Sequence, residues 1–191
     1  MAVNPSYTQR AQLSLETRKR FVAEATRAMV ELGTLVQERL TSLMNEAGSS
    51  RDMQTRRDAW SFFQKARPAW LDGTLKVWQL ALQPAKAKPK QALELGLDGA
   101  FELVGTDVVE NKILASRMVL RVMDKVSAEL DDLRLRIRYL EDSDDLDRQD
   151  ILRPDVLVLI LVEEWAASGM PSGSWPLIND AVQLLLSERL K

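Results

Sequence analysis

Apolar residues recur along this chain in steps of three and four, a rhythm that predicts helix over most of its length. From about Leu15 to Met44, the residues Val22, Ala25, Met29, Leu32, Val36, Leu40 and Leu43 share one stripe. Gly33 lies within that segment at a cost of about 1 kcal/mol relative to Ala, and is read as permitting a close helix crossing. AGSS (Ala47 to Ser50) ends the segment, and Ser49 or Ser50 is placed to N-cap the next. The second segment, Arg51 to about Leu82, carries Met53, Trp60, Phe63, Trp70 and Trp78. Pro68 lacks an amide donor and disfavours helix at Arg67, which predicts a kink or two shorter helices.

PAKAKPK (Pro84 to Lys90) reads as an exposed basic loop, and Gln91 to Leu103 as a short helix ending near Gly105. Asp107 and Glu110 then suggest a reciprocal cap. Beyond it Val109, Ile113, Leu120, Met123, Val126, Leu130, Leu133, Ile137 and Leu140 form the strongest helical pattern in the chain. Their spacing is near the 3.5-residue coiled-coil period. LRLRIRYL (Leu133 to Leu140) alternates like a strand when taken alone. Its continuity with SAELDD and the lack of a partner strand favour helix. EDSDDLDRQD (Glu141 to Asp150) is an acidic loop. Pro154 opens a helix ending near Gly169, and its VLVLILVEEW has too little polar surface to lie open to water. Ser174 and Pro176 start a last amphipathic helix through Leu186. With no internal repeat and no strand–helix alternation, the expected fold is all-α. It is a helical bundle of about six helices with two long antiparallel ones, forming a single domain over residues 1–191. Sub-halves 1–83 and 91–191 would be joined by the exposed loop 84–90.

Composition narrows the chemistry. Histidine and cysteine are both absent from the 191 residues. That removes the imidazole base, thiolate chemistry and every zinc, copper or haem site built on His or Cys. An apolar fraction of 46% and a charged fraction of 28% are ordinary for a globular chain. The longest apolar run, Val156 to Val162, is far short of the ~20 residues of a membrane span, and MAVNPSYTQR shows no signal-peptide core. The expectation is a cytoplasmic, non-enzymatic protein without cofactors or metals. Charge is uneven: residues 1–90 hold 15 Lys and Arg against 8 Asp and Glu (+7), and residues 91–191 hold 11 against 20 (−9). Such asymmetry reads as two halves that pack on each other or as copies that pair head to tail, ahead of a nucleic-acid footprint.

Individual constellations stay weak. A calcium loop starting at Asp142 would need Asp or Asn at its fifth position, Gly at its sixth and Glu at its twelfth. The chain has Leu146, Asp147 and Arg153 there, so a solvated loop is expected. Arg117 and Arg121, like Arg134 and Arg138, are four apart and could grip a phosphate, though intrahelical ion pairs with Glu129, Asp131, Asp132 and Glu141 are the plainer reading. The tryptophans read mainly as core, with one or two as exposed anchors if Pro68 splays the helix. The candidate partner or phosphate-binding residues are therefore Arg56, Arg57, Trp60, Arg67, Trp70, Arg117 and Arg121.

Two stretches, Leu40 to Trp70 and Leu103 to Ile137, followed by ILRPDVL (Ile151 to Leu157), resemble a large proteobacterial family of unknown function. Its members are often labelled "thymidine phosphorylase", a label that no phosphate loop or α/β pattern supports in this chain. The resemblance implies no catalytic residues. Longer members end in a PilZ-like region, which implies a link to cyclic di-GMP signalling, and this chain is expected to be a short member or the N-terminal helical part of a longer one. Together these readings point to a scaffold or adaptor module of a bacterial regulatory protein that binds a partner or itself as a homo-oligomer. The alternatives are a regulator responsive to a cyclic dinucleotide and, less favoured, nucleic-acid binding through the basic half.

Overall fold

The computed structural model describes residues 6–82 and 106–190. Among them the chain forms five α-helices: α1 (Tyr7–Met44), α2 (Ser50–Ala81), α3 (Thr106–Glu141), α4 (Pro154–Ala167) and α5 (Trp175–Arg189). A 3-10 turn, Ser172–Ser174, leads into α5, and no strand occurs among the described residues. The expected loop at 84–90, the helix at 91–103 and the side chain of Asp107 lie outside what is described.

Local chemistry sets the helix starts. The Ser6 hydroxyl accepts from the Gln9 amide while the Ser6 amide donates to Gln9 Oε1, so α1 begins well ahead of Leu15, where its apolar stripe starts. Ser49 and Asp52 make the same reciprocal cap on α2. The Ser49 hydroxyl, with its amide, holds the Asp52 carboxyl below its ordinary value.

Pro68 does not break α2 into the two shorter helices that were one expectation; helix runs unbroken from Ser50 to Ala81. Pro68 and Gln64, whose carbonyl it deprives of a donor, are both exposed. Water can therefore take the orphaned carbonyl, and the ring meets no neighbouring helix. The unbroken α2 makes three long helices, of 38, 32 and 36 residues, in place of the expected two. α1 and α2 run antiparallel, as the pairs Thr41–Trp60 and Gly33–Leu71 show. They pack closely at Gly33, where a Cβ would stand 3.2 Å from both Arg67 Nε and a Leu71 methyl.

The core is assembled around α4. Val156, Leu157, Val158, Ile160, Leu161, Val162 and Trp165 are buried, so α4 has apolar neighbours on nearly every side. α2 supplies Phe63, Trp70 and Trp78, and crosses α4 where the Glu164 side chain lies over Gly73. Trp70 and Trp165 meet edge to face at 5.0 Å, Phe63 lies 5.6 Å from Trp165, and Trp175 closes the group at 5.6 Å. The buried indole N–H groups of Trp70 and Trp165 donate to Leu161 O and Ser174 Oγ, each at 3.1 Å.

α3 corrects the expected seam. Ala115, Met118, Val122, Val126, Leu130 and Ile137 are buried, in steps whose mean is closer to the 3.6-residue turn of a straight helix than to 3.5. Val109, Ile113 and Leu120, assigned to the seam from sequence, are 45%, 45% and 68% exposed. Periodicity had drawn one line through two different faces of the helix.

Because Trp70 is fully enclosed, Trp70→Ala should lower unfolding free energy by about 3–5 kcal/mol, and Gly33→Leu by about 1–3 kcal/mol through forced separation of α1 and α2. Urea denaturation checks both; a Trp70→Ala loss below 1 kcal/mol would contradict this account of the core.

Candidate functional site

The seven residues singled out from sequence do not converge. Arg56 turns back to donate to the Leu43 and Glu46 carbonyls at 3.3 and 2.9 Å, satisfying the C-terminal end of α1. Arg67 donates to Gln37 Oε1 at 2.6 Å and to Thr34 Oγ1 at 3.2 Å, and half-buried Trp60 donates to Thr41 Oγ1. These three side chains therefore tie α2 to α1. Trp70 is at the centre of the core, and Arg57 is exposed on α2. Arg117 and Arg121 are exposed on α3, where Arg121 meets Asp180 of α5 at 3.8 Å. Only Arg117 and Arg121 share an open face.

That face carries an exposed apolar line. Val109, Ile113, Ser116 and Leu120 follow one another in steps of four, three and four, and all are exposed. They turn away from Ala115, Met118 and Val122, which pack against the core. Glu110, Arg117, Arg121 and Asp124 flank the apolar line on one side. Sequence reading named most of these residues but placed the apolar ones inside.

The acidic loop is not simply solvated. Arg18 of α1 bridges Glu141 at 2.6 Å and Asp150 at 2.5 Å, and Ser14 donates to Glu141 Oε1. Asp150 is almost enclosed and also accepts from the Leu152 amide, while Asp145 pairs with Arg134. Leu146 seals a second apolar cluster with Ile137 and Leu152. Glu141 and Asp150 thus share Arg18 while Asp145 takes Arg134; no group of three or more acidic side chains is placed to hold a metal ion among the described residues. Arg18 joins the basic half of the chain to the acidic half, as the charge asymmetry suggested. The expected intrahelical pairs are only partly realised: Asp132 pairs with Arg136 rather than with Arg134 or Arg138.

Burial works to raise the Glu141 pKa, but the bonds from Arg18 and Ser14 outweigh it and hold the carboxyl below its ordinary value. Burial likewise opposes charge on Arg18, and its two carboxylate partners outweigh that too. Glu163 and Glu164 behave in the opposite way. Burial against α3 and α2 raises both carboxyls above their ordinary range, only partly offset by Lys112 and Lys76.

A family model described as the N-terminal domain of a protein of unknown function (DUF1631) matches residues 9–191. The chain belongs to this family. No curated protein and no solved structure matches it. The DUF1631 match spans all five helices described, in line with the resemblance to a family of unknown function, and none of those helices is long and apolar enough to cross a membrane.

Two outcomes follow for this DUF1631 domain. Arg18→Met leaves the Asp150 carboxylate buried without its cation and should cost about 3–5 kcal/mol at neutral pH, much of it recovered in Arg18→Met/Asp150→Asn. Glu163→Gln should stabilise. A raised folded-state pKa means the folded protein holds its proton more tightly than the unfolded chain, so the cost of the charged Glu163 is complete only above the folded value. The gain in urea midpoint should be present at pH 7.5 and vanish as pH falls to the ordinary value of 4.5. Equal gains at both pH values would contradict a titrating origin.

Proposed function

We propose that this chain is a non-enzymatic, cytoplasmic helical interaction module, a scaffold or adaptor of a bacterial regulatory protein that binds through a helix face. One observation carries the reading: α3 has two apolar lines, one buried in the core and the other, Val109, Ile113 and Leu120, left in water. An exposed apolar line flanked by charge marks a contact surface. Phosphorylase activity forms no part of the proposal. Nor does nucleic-acid binding through the basic half, because Arg18, Arg56 and Arg67 of that half are already engaged within the fold.

A second reading rests on Arg117 and Arg121, exposed one turn apart on the same face. It makes them phosphate contacts for a cyclic dinucleotide, in keeping with the PilZ-like region expected of longer family members. Calorimetry with cyclic di-GMP decides it, and absence of heat removes it.

For the first reading, the wild-type chain and Ile113→Glu/Leu120→Glu should be compared by affinity capture with mass spectrometry. The variant should melt within about 1 kcal/mol of wild type, since both positions are on the surface, and should lose the captured partner. A strictly monomeric chain that captures nothing would overturn the proposal.

A further inference from the structure

We infer that the cavity between the second turn of α3 and the C-terminal half of α4 binds a compact organic cation, an apolar primary amine. The inference is independent of the outer apolar line of α3 and of Arg117 and Arg121.

The cavity measures about 240 Å³, more than the roughly 150 Å³ that holds benzene in an engineered protein core. Leu114, Val162 and Met170 give it apolar walls, and Trp165 and Trp175 complete them from the core. Its lining residues are exposed only at Glu110 and Ala166, which marks the mouth.

The polar lining is small and one-sided. Apart from the indoles, only Glu110 and Asn111 bring polar side-chain atoms to it, and no Lys or Arg does. Neither Glu110 nor Asn111 has a side-chain hydrogen-bond or ion-pair partner among the described residues. A carboxylate and a carboxamide oxygen are acceptors for an ammonium group, and the carboxylate repels an anion. Partial exclusion of water strengthens that preference. The apolar walls favour a hydrocarbon body, which leaves water as it enters. A few polar groups over an apolar floor is the usual build of a small-molecule site. An anion such as a cyclic dinucleotide meets no cation in this lining.

2-Phenylethylamine and 3-phenylpropionate are close in size and opposite in charge, and serve as probes for the whole chain at neutral pH. Because Trp165 and Trp175 line the cavity, the amine should change tryptophan fluorescence saturably. The acid should bind at least about tenfold more weakly. Glu110→Gln should weaken the amine about threefold or more, and should leave thermal melting unchanged because the position is on the surface. Ala166→Phe, at the other exposed position, should block the mouth and abolish saturation while the variant stays folded by circular dichroism. Amine and acid that bind equally, an amine indifferent to Glu110→Gln, or no saturable change with the amine overturns the inference.

Discussion

α4 cannot be left in contact with water. Of its residues from Val156 to Val162 only Leu159 is not fully buried, and Trp165 extends the apolar surface by another turn. A helix that is apolar nearly all round is stable only when other elements cover it on every side. α2 and α3 lie along it, and the turn after it folds Trp175 back onto Trp165. The packing of the other helices follows from this demand. The long α1 lies mainly against α2 and α5 and completes the layer that shields them.

Some of the polar groups brought inside by that packing are answered locally, although the indole N–H groups of Trp78 and Trp175 have no hydrogen-bond partner. The indoles of Trp70 and Trp165 donate to Leu161 O and Ser174 Oγ, which fixes the rotation of α2 and of the 3-10 turn against α4. At the far end of α3, Arg18 answers Glu141 and the nearly enclosed Asp150 together. A single guanidinium therefore holds the acidic connection down over Leu146, and a cluster that composition reads as solvent-facing becomes part of the packing. Glu163 and Glu164 are the opposite case. Their carboxylates are partly buried, and burial outweighs the attraction of Lys112 and Lys76, a cost that α4 bears because the same helix supplies so much apolar area.

Much of this fold was legible from the residues, and the legible part is local. The stripe of α1 from Val22 to Leu43, the Ser49 cap, the close crossing at Gly33 and the apolar character of α4 all depend on neighbours within a few positions. What could not be read depended on partners distant in sequence. Arg56 and Arg67 were marked as phosphate or partner contacts, and their real acceptors are carbonyls and side chains of α1. Trp70 was a candidate anchor and is the centre of the core. Both cases have one cause: a side chain's role depends on what the fold brings to it, and residue type alone does not reveal that.

α3 shows where the boundary lies. By itself the sequence determined that residues 106–141 are helical and that apolar side chains recur along that helix, since backbone hydrogen bonding and 3.6-residue geometry need no outside help. Only the tertiary structure decided which line is buried. Ala115, Met118 and Val122 pack into the core shared with α4, and Val109, Ile113 and Leu120 are then turned outward. Pro68 makes the same point in reverse. Its cost was legible in the sequence, but whether that cost breaks a helix depended on the face it occupied, and on the outer face of α2 water removes the penalty.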